Sequence, residues 1–529
     1  METQPITLRS LANRQVSCPL HRMKLCFFWV FLLGLVAHGY ALLNFTINHD
    51  SLNEFYLADS QTWKLVLGRI LSPALRYLTG EIMALPWLDG LLGLTFIALS
   101  AYGISQMFAL DRNWQIGLLA GILVTNMPVT ALIASYIHDF SCDILALLFS
   151  VLTALMWYQM GDRFSLKKTL LGSLCLFGSL IGYQSYVNVT LTLMCISSIF
   201  QLLEGRSPWA VIRRRLLAVP MAAVAAAAYW GLLQWIEGQV PWLHGNFWAA
   251  KEALEAPATL LENLVRMYAK AAGDLFLPNY GSSAQGVFSQ GAAVICLVNG
   301  LLLVLSLGMM GYLLHRGSVK PGGLVLLVLL LAGLPGAMMA VNILSGVHHN
   351  LTRYAVHLFY LLPLALFAQL CRQHPIQKPG RLAVPACVMI GLVIFSNIQM
   401  ANVTYIRKDV QQQATMSTMT RVLSLLEAYP DYQYGQSQVA ILGEVDGLDV
   451  DVNSGGVDNV VGIHYRSQIS CLEVMDQYFS VVLQYPIRLT SLEEGEAIMQ
   501  TEAYQKMPAF PRKGCIATLD GVIVVKMSQ

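Results

Sequence analysis

Apolar runs of about 20 residues recur from residue 25 to residue 400 and then stop, and each is long enough to cross a bilayer core about 30 Å thick. Eleven spans are expected, near residues 25–45, 88–110, 115–134, 144–160, 169–182, 187–203, 216–236, 290–314, 323–344, 355–371 and 384–400. The fifth and sixth divide one apolar stretch, 169–203, that is too long for a single helix. The division falls at Gly182-Tyr183-Gln184-Ser185-Tyr186, where a glycine beside polar and aromatic residues suits a tight interfacial turn. Residues 63–78 show a different pattern. Trp63, Leu67, Ile70, Leu71, Ala74, Leu75 and Leu78 share one helical side, with Arg69 and Arg76 on the other, as in an amphipathic interfacial segment. A break is expected at Ser72-Pro73, with Ser72 capping a second short helix.

Beyond residue 400 the period changes. β-type runs at Gln438–Leu442, Val460–His464 and Gly521–Val525 lie between helical stretches at 410–428 and 470–483, the pattern of a small α/β unit. The expected architecture is an all-α polytopic membrane bundle over residues 25–400, preceded by a cytoplasmic N-terminus, 1–24, and followed by a soluble α/β domain, 401–529. Arg9, Arg14, Arg22 and Lys24 precede the first apolar stretch in the manner of a signal peptide. Cys26–Leu43 is longer than a usual signal core and no small-x-small site follows, so it is assigned as the first membrane helix.

Composition supports this division. The chain is 56% hydrophobic and only 12% charged, where soluble domains carry about 25% charged residues. The net charge of +2 offers no nucleic-acid surface, but the placement of the charges is informative. Seventeen of the 33 basic residues sit on short segments of one side: the N-terminus, Arg112, the loops near 163–168 and 206–215, Arg316/Lys320 and Arg372–Arg381. That side is read as cytoplasmic, and an odd number of spans then puts the tail outside. The long loops 46–87 and 237–289 and the turns 135–143 and 345–354 fall on the outer side too. For a bacterial chain that is the periplasmic face of the inner membrane. Ten cysteines form no CxxC pair or metal-ligand spacing, and whether Cys471 and Cys515 of the tail are bridged stays open.

The outer segments hold the candidate chemistry. Asn48-His49-Asp50-Ser51-Leu52-Asn53-Glu54 and then Asp59 place acids where a helix leaves the membrane, suited to deprotonating a hydroxyl at headgroup height. Arg69 and Arg76 lie at phosphate depth. In the second outer turn His138 and Asp139 are the better candidates, while Asp143 reads as an N-terminal helix charge. Gly346–Tyr354 gathers His348, His349 and Arg353 into a cationic cluster fit for a phosphate. No carboxylate is near it in sequence, so a metal site is not expected there. No P-loop, dinucleotide turn or HExxH helix is present.

Outer acids, an interfacial segment, about a dozen spans and an outer tail together resemble the GT-C superfamily of lipid-donor glycosyltransferases. The closer resemblance is to the bacterial and phage O-antigen glucosyltransferases that convert serotype. It is carried by Asn48-His49-Asp50, Gly68-Arg69, Gly182-Tyr183-Gln184-Ser185-Tyr186, Arg353 opening a span, and Met507-Pro508-Ala509-Phe510-Pro511-Arg512-Lys513-Gly514 through Val525. The family often has two adjacent acids where this chain has His49-Asp50. That leaves open whether Asp50 acts alone or with Glu54 or Asp59. The resemblance implies transfer of a sugar, glucose first, from a polyprenyl-phosphate donor to a lipid-linked surface glycan, within membrane lipid; no cofactor is expected, a divalent cation being the one alternative. Asp50, Asp59 and Asp139 would be the catalytic acids. Arg69, His348, His349 and Arg353 would hold the donor phosphate, with His49, Glu54, His138, Tyr183 and Gln184 as further candidates. An O-antigen polymerase or ligase is the alternative enzyme, and a flippase the alternative outside enzymes.

Overall fold

The computed structural model describes residues 18–44, 46, 64–79, 85–240, 257–277, 291–316, 321–373, 379–443 and 472–528. Helix α1 (Pro19–Leu43) is followed by α2 (Leu71–Thr79), α3 (Pro86–Met107), α4 (Asn113–Val124), α5 (Met127–Ser135), α6 (Ile137–Met160) and α7 (Leu166–Gly182). A 3₁₀ turn, Gln184–Tyr186, leads into α8 (Val187–Leu203), α9 (Pro208–Leu216), α10 (Ala218–Gln239) and α11 (Pro257–Phe276). Then come α12 (Gly291–Arg316), α13 (Pro321–Met338), the short α14 (Ala340–Ser345), a 3₁₀ segment Asn350–Tyr360, α15 (Leu361–Gln373) and α16 (Pro379–Glu427).

Among the described residues nine helices are long and apolar enough to cross a membrane, or ten when α4 and α5 count as one span. Eleven were expected, and the difference is α7, whose 17 residues reach only about 26 Å at 1.5 Å per residue. The α4–α5 pair is bent by 48°. Its cause is local: the Asn126 side chain accepts from Val129 N at 3.2 Å, capping a new helix that carries Pro128 in its first turn. Where α3 crosses α6 the chains meet closely, since a Cβ at Gly93 would lie 2.2 Å from the Phe140 ring.

The bundle has two polar ends. At one, Arg206 pairs with Asp162 at 3.0 Å and Lys168 donates to Gln159 O. Arg372 donates to Ala109 O at 2.6 Å and Trp157 to Arg214 O at 2.9 Å. At the other end are the first turns of α6, the 183–186 turn and α2. Helix α7 runs from the first end to the second.

The expected boundary at residue 401 falls inside a helix. α16 continues unbroken for 49 residues, because Thr404, Arg407, Lys408 and Gln411, which look like soluble-tail residues, are buried against the bundle. Lys408, for example, donates to Ala134 O at the end of α5. Beyond α16 lie β1 (Gln438–Leu442), α17 (Leu472–Gln477), β2 (Arg488–Leu489), α18 (Leu492–Met499), α19 (Glu502–Lys506), β3 (Ile516–Leu519) and β4 (Val522–Lys526). The sheet order is β2-β1-β4-β3, with β1 parallel to both neighbours and β3–β4 an antiparallel hairpin in register Ala517↔Val524. Met419, Val422 and Leu426 of α16 cover Val439, Ile441, Ile523 and Val525. Tyr504 and Met507 pack with Ala440, Leu442 and Val524, the alternate residues of those strands. The strand expected at Val460–His464 and Cys471 lie outside the described residues; Cys515 is a buried free thiol.

Candidate active site

The segment entering α2 is shaped by Gly68. Lys64–Val66 form a single helical turn, and the amides of Gly68 and Arg69 donate to Leu65 O and Lys64 O, both at 2.9 Å. Gly68 has φ +69°, a conformation that disfavours any side chain. Arg69 and Ile70 then lead into α2, so the interfacial helix breaks at Gly68 and not at Ser72-Pro73 as expected. Pro73 sits in the first turn of α2, where its missing N–H is no loss. Ser72 Oγ turns to Asp139 Oδ1 at 3.4 Å. Arg76, expected on the polar side of the interfacial segment, is 4% exposed and donates to His138 O.

Helix α6 begins at Ile137, well before the expected 144. Asp139 therefore stands in its first turn, and Asp143 follows four residues later on the same face, not at the helix terminus. Both are buried, at 3% exposure. Asp139 is fully engaged. Its Oδ2 holds the Lys64 ammonium and lies 3.3 Å from His138 Nε2, while Oδ1 takes the Ser72 hydroxyl. Nearby, Asp89 of α3 accepts from Ser141 Oγ at 2.6 Å and Leu85 N at 3.3 Å. Asp143 accepts no hydrogen bond among the described residues. Asp139 repels its charge through space, while Arg69, Lys64 and His138 attract it.

Arg69 lies 4.2 Å over the Tyr183 ring. Burial works against its charge, but the carboxylates of Asp143 and Asp139 favour it and its pKa is raised. Burial likewise pushes the Tyr183 phenol up to about 12, so it stays protonated. Gln184 Nε2 donates to Leu67 O at 3.0 Å and to Tyr229 Oη at 2.9 Å. Tyr186 stacks edge-on between Tyr183 and Tyr354, at 5.4 and 5.5 Å. Two polar atoms here, Arg69 Nε and Tyr186 Oη, are buried without a hydrogen-bond partner among the described residues. Both are open to a ligand or water.

The second cationic cluster is organised by an acid that its sequence neighbourhood does not contain. Asp274, near the end of α11, takes Arg353 Nη1 on Oδ1 at 2.5 Å and His348 Nε2 on Oδ2 at 3.2 Å. Arg353 also holds Asn350 Oδ1. Burial would raise the Asp274 carboxyl, but Arg353 and then His348 hold it below the usual carboxylate range. His349 caps the 3₁₀ segment, its Nδ1 accepting from Leu351 N at 3.4 Å. Arg266 donates to Gly346 O at 3.0 Å, fixing the turn that carries both histidines. Among the described residues no group of three His, Cys, Asp or Glu side chains is arranged to hold a metal ion.

The structure thus gathers Arg69, His138, Asp139, Tyr183 and Gln184 at one place and His348, His349 and Arg353 at another. Tyr186 and Tyr354 stand in contact between them. His49, Asp50, Glu54 and Asp59 lie outside the described residues. Sequence reasoning overlooked Asp143, Lys64, Tyr186 and Asp274 as site residues. For Asp143 a signal existed, its four-residue spacing from Asp139. Asp274 had none.

Compared with known proteins, residues 39–369 match the family described as glucosyl transferase GtrII, a match over more than half of the chain. No curated protein and no solved structure matches the chain.

Proposed function

The chain belongs to the GtrII glucosyl transferase family, and on that premise we propose that it moves glucose from a polyprenyl-phosphate carrier to an O-antigen or other lipid-linked glycan. The proposed place is the periplasmic face of the bacterial inner membrane. The observation that carries this reading is Arg69, charged and shielded at the end of a membrane-type bundle, with Asp143 and Asp139 behind it and an orphaned Nε. A phosphate is the ligand such a guanidinium suits, and a shielded site strengthens the attraction.

In the proposed reaction the acceptor hydroxyl oxygen bonds to C1 of the glucose. The bond from C1 to the phosphate oxygen breaks, and polyprenyl phosphate departs with both electrons. The acceptor's proton passes to Asp50, the base assigned through the family resemblance, with Asp59 or Glu54 beside it. Asp143 stabilises the positive charge that develops at C1. Asp139, whose oxygens are all occupied, anchors Lys64 and His138. Arg69 receives the phosphate, with Arg353, His348 and His349 as a second edge where phosphate competes with Asp274. No organic cofactor is needed. Eleven crossings, α7 included, complete the proposed topology: α7 connects the basic end to the Arg69 end, which puts the tail on the side of the site.

Membership of a glucosyl transferase family weighs against the polymerase, ligase and flippase alternatives. The test is glucose transfer from polyprenyl-phosphate glucose in membranes carrying the wild-type chain or Asp50→Asn. Added hexose on the glycan, lost in the variant, is expected. A changed chain length without added hexose, or lipid flux without a covalent product, overturns the reading.

A further inference from the structure

The backbone that presents Arg69 is held from outside by two polar side chains on other elements. Gln184, in the turn between α7 and α8, donates to the Leu67 carbonyl at 3.0 Å and to Tyr229 Oη at 2.9 Å. Tyr229, on α10, donates in turn to the Gly68 carbonyl at 3.4 Å. The two carbonyls belong to the residues immediately before Arg69. Below them Val66, Leu233 and Ile236 form a small apolar cluster of their own, with Leu65, Ile70 and Tyr229 packed against it.

Residue 68 is constrained twice. Its φ of +69° favours glycine, and a Cβ there would lie 2.4 Å from Tyr229 Oη and 3.3 Å from Gln184 Nε2. Helix α10 is otherwise an outlying element whose Trp230 and Trp235 are 52% and 64% exposed. An apolar residue at 229 would serve a lipid-facing helix as well. A tyrosine there, with its hydroxyl between the Gln184 amide and the Gly68 carbonyl, points to a more specific task.

We propose that Gln184 and Tyr229 form a latch that fixes the Leu67-Gly68 turn and thereby positions the Arg69 guanidinium for the donor's phosphate. Both are positioning residues, and neither touches the reacting atoms. The proposal rests on the reading that Arg69 receives that phosphate. The latch also joins α10 to the site, so that the flank of the bundle bearing Trp230 and Trp235 and the phosphate-binding arginine are set by one contact.

The test uses the full chain in lipid nanodiscs, with Gln184→Leu and Tyr229→Phe, the second removing a single hydroxyl. Hydrogen exchange reads the latch directly: the Gly68 and Arg69 amides, bonded to Leu65 O and Lys64 O, are expected to exchange about tenfold faster in both variants. Kinetics with polyprenyl-phosphate glucose read its consequence. The donor KM should rise about five- to tenfold, with kcat and the acceptor KM within about twofold. On an Arg69→Ala background Gln184→Leu should add less than about twofold, because the arginine it positions is gone. Unchanged exchange in both variants overturns the latch. So does a fall in kcat with the donor KM unmoved, or a Gln184→Leu penalty undiminished by Arg69→Ala. Should the wild type fail to use polyprenyl-phosphate glucose, the donor reading falls, and the exchange result alone decides the latch.

Discussion

Asp143 and Asp274 are both carboxylates facing an arginine at one end of the bundle, and they differ in how much of their bonding capacity is already used. Asp274 gives one oxygen to Arg353 and the other to His348. Its side chain is 15% exposed, so solvent shares the load. Asp143 is buried and faces Arg69 with no hydrogen bond among the described residues. A carboxylate with both oxygens engaged holds parts together. One placed near a cation without direct bonds keeps its oxygens for a substrate, at a cost in stability that folded proteins accept mainly at working sites. Under the proposed function, this contrast puts the chemistry on the Arg69 side and leaves scaffolding, with a secondary hold on phosphate, to the Arg353 side.

The largest expected effect tests that assignment from the catalytic side. Asp143→Asn should lower glucose transfer by about 100-fold or more, with the thermal midpoint of the purified protein unchanged or raised, since the residue accepts no hydrogen bond among the described residues. Next, Arg69→Lys keeps the charge but loses the planar fork and the stacking on Tyr183. The donor KM should rise about tenfold, measured by initial rates against donor concentration. Asp274→Asn should act mainly on stability, by about 1–2 kcal/mol in chemical or thermal unfolding. Its carboxyl is held below its ordinary value when folded. Its contribution is thus present above the ordinary carboxylate range and is lost as pH falls through the folded value. The wild type should therefore lose stability from about pH 4 downward, and the variant should lose less over the same interval. Smallest is Tyr183→Leu, which removes the ring beneath Arg69 at 4.2 Å and should weaken donor affinity by about 1 kcal/mol, near fivefold.

Much of the bundle was legible because membrane helices are announced by apolar length, and that signal is local. The turn at 182–186 was legible for the same reason. The kink at Asn126-Met127-Pro128 has an equally local cause, a capping side chain beside a proline, but lies inside an apolar run that reads as one span. At the site, Arg69, His138 and Asp139 stood out as ionisable residues at helix ends. Asp143 was passed over because α6 was expected to start at 144; with the start at Ile137 it becomes the four-residue neighbour of Asp139. Lys64 and Asp274 were beyond sequence reasoning. Each meets its partners across 74 or more positions, and only the tertiary fold decides such pairings. That one helix runs through residue 401 was hidden for a related reason: Arg407, Lys408 and Gln411 are polar by type and buried by position.

The contrast between the two carboxylates is tested most directly by one paired assay. Equal amounts of folded Asp143→Asn and Asp274→Asn protein, in liposomes with polyprenyl-phosphate glucose and the acceptor glycan, are followed for glucose transferred per minute. The expected result is near-complete loss in Asp143→Asn and retention within about fivefold in Asp274→Asn. Retained transfer in Asp143→Asn together with loss in Asp274→Asn would contradict the assignment and place the chemistry beside Arg353.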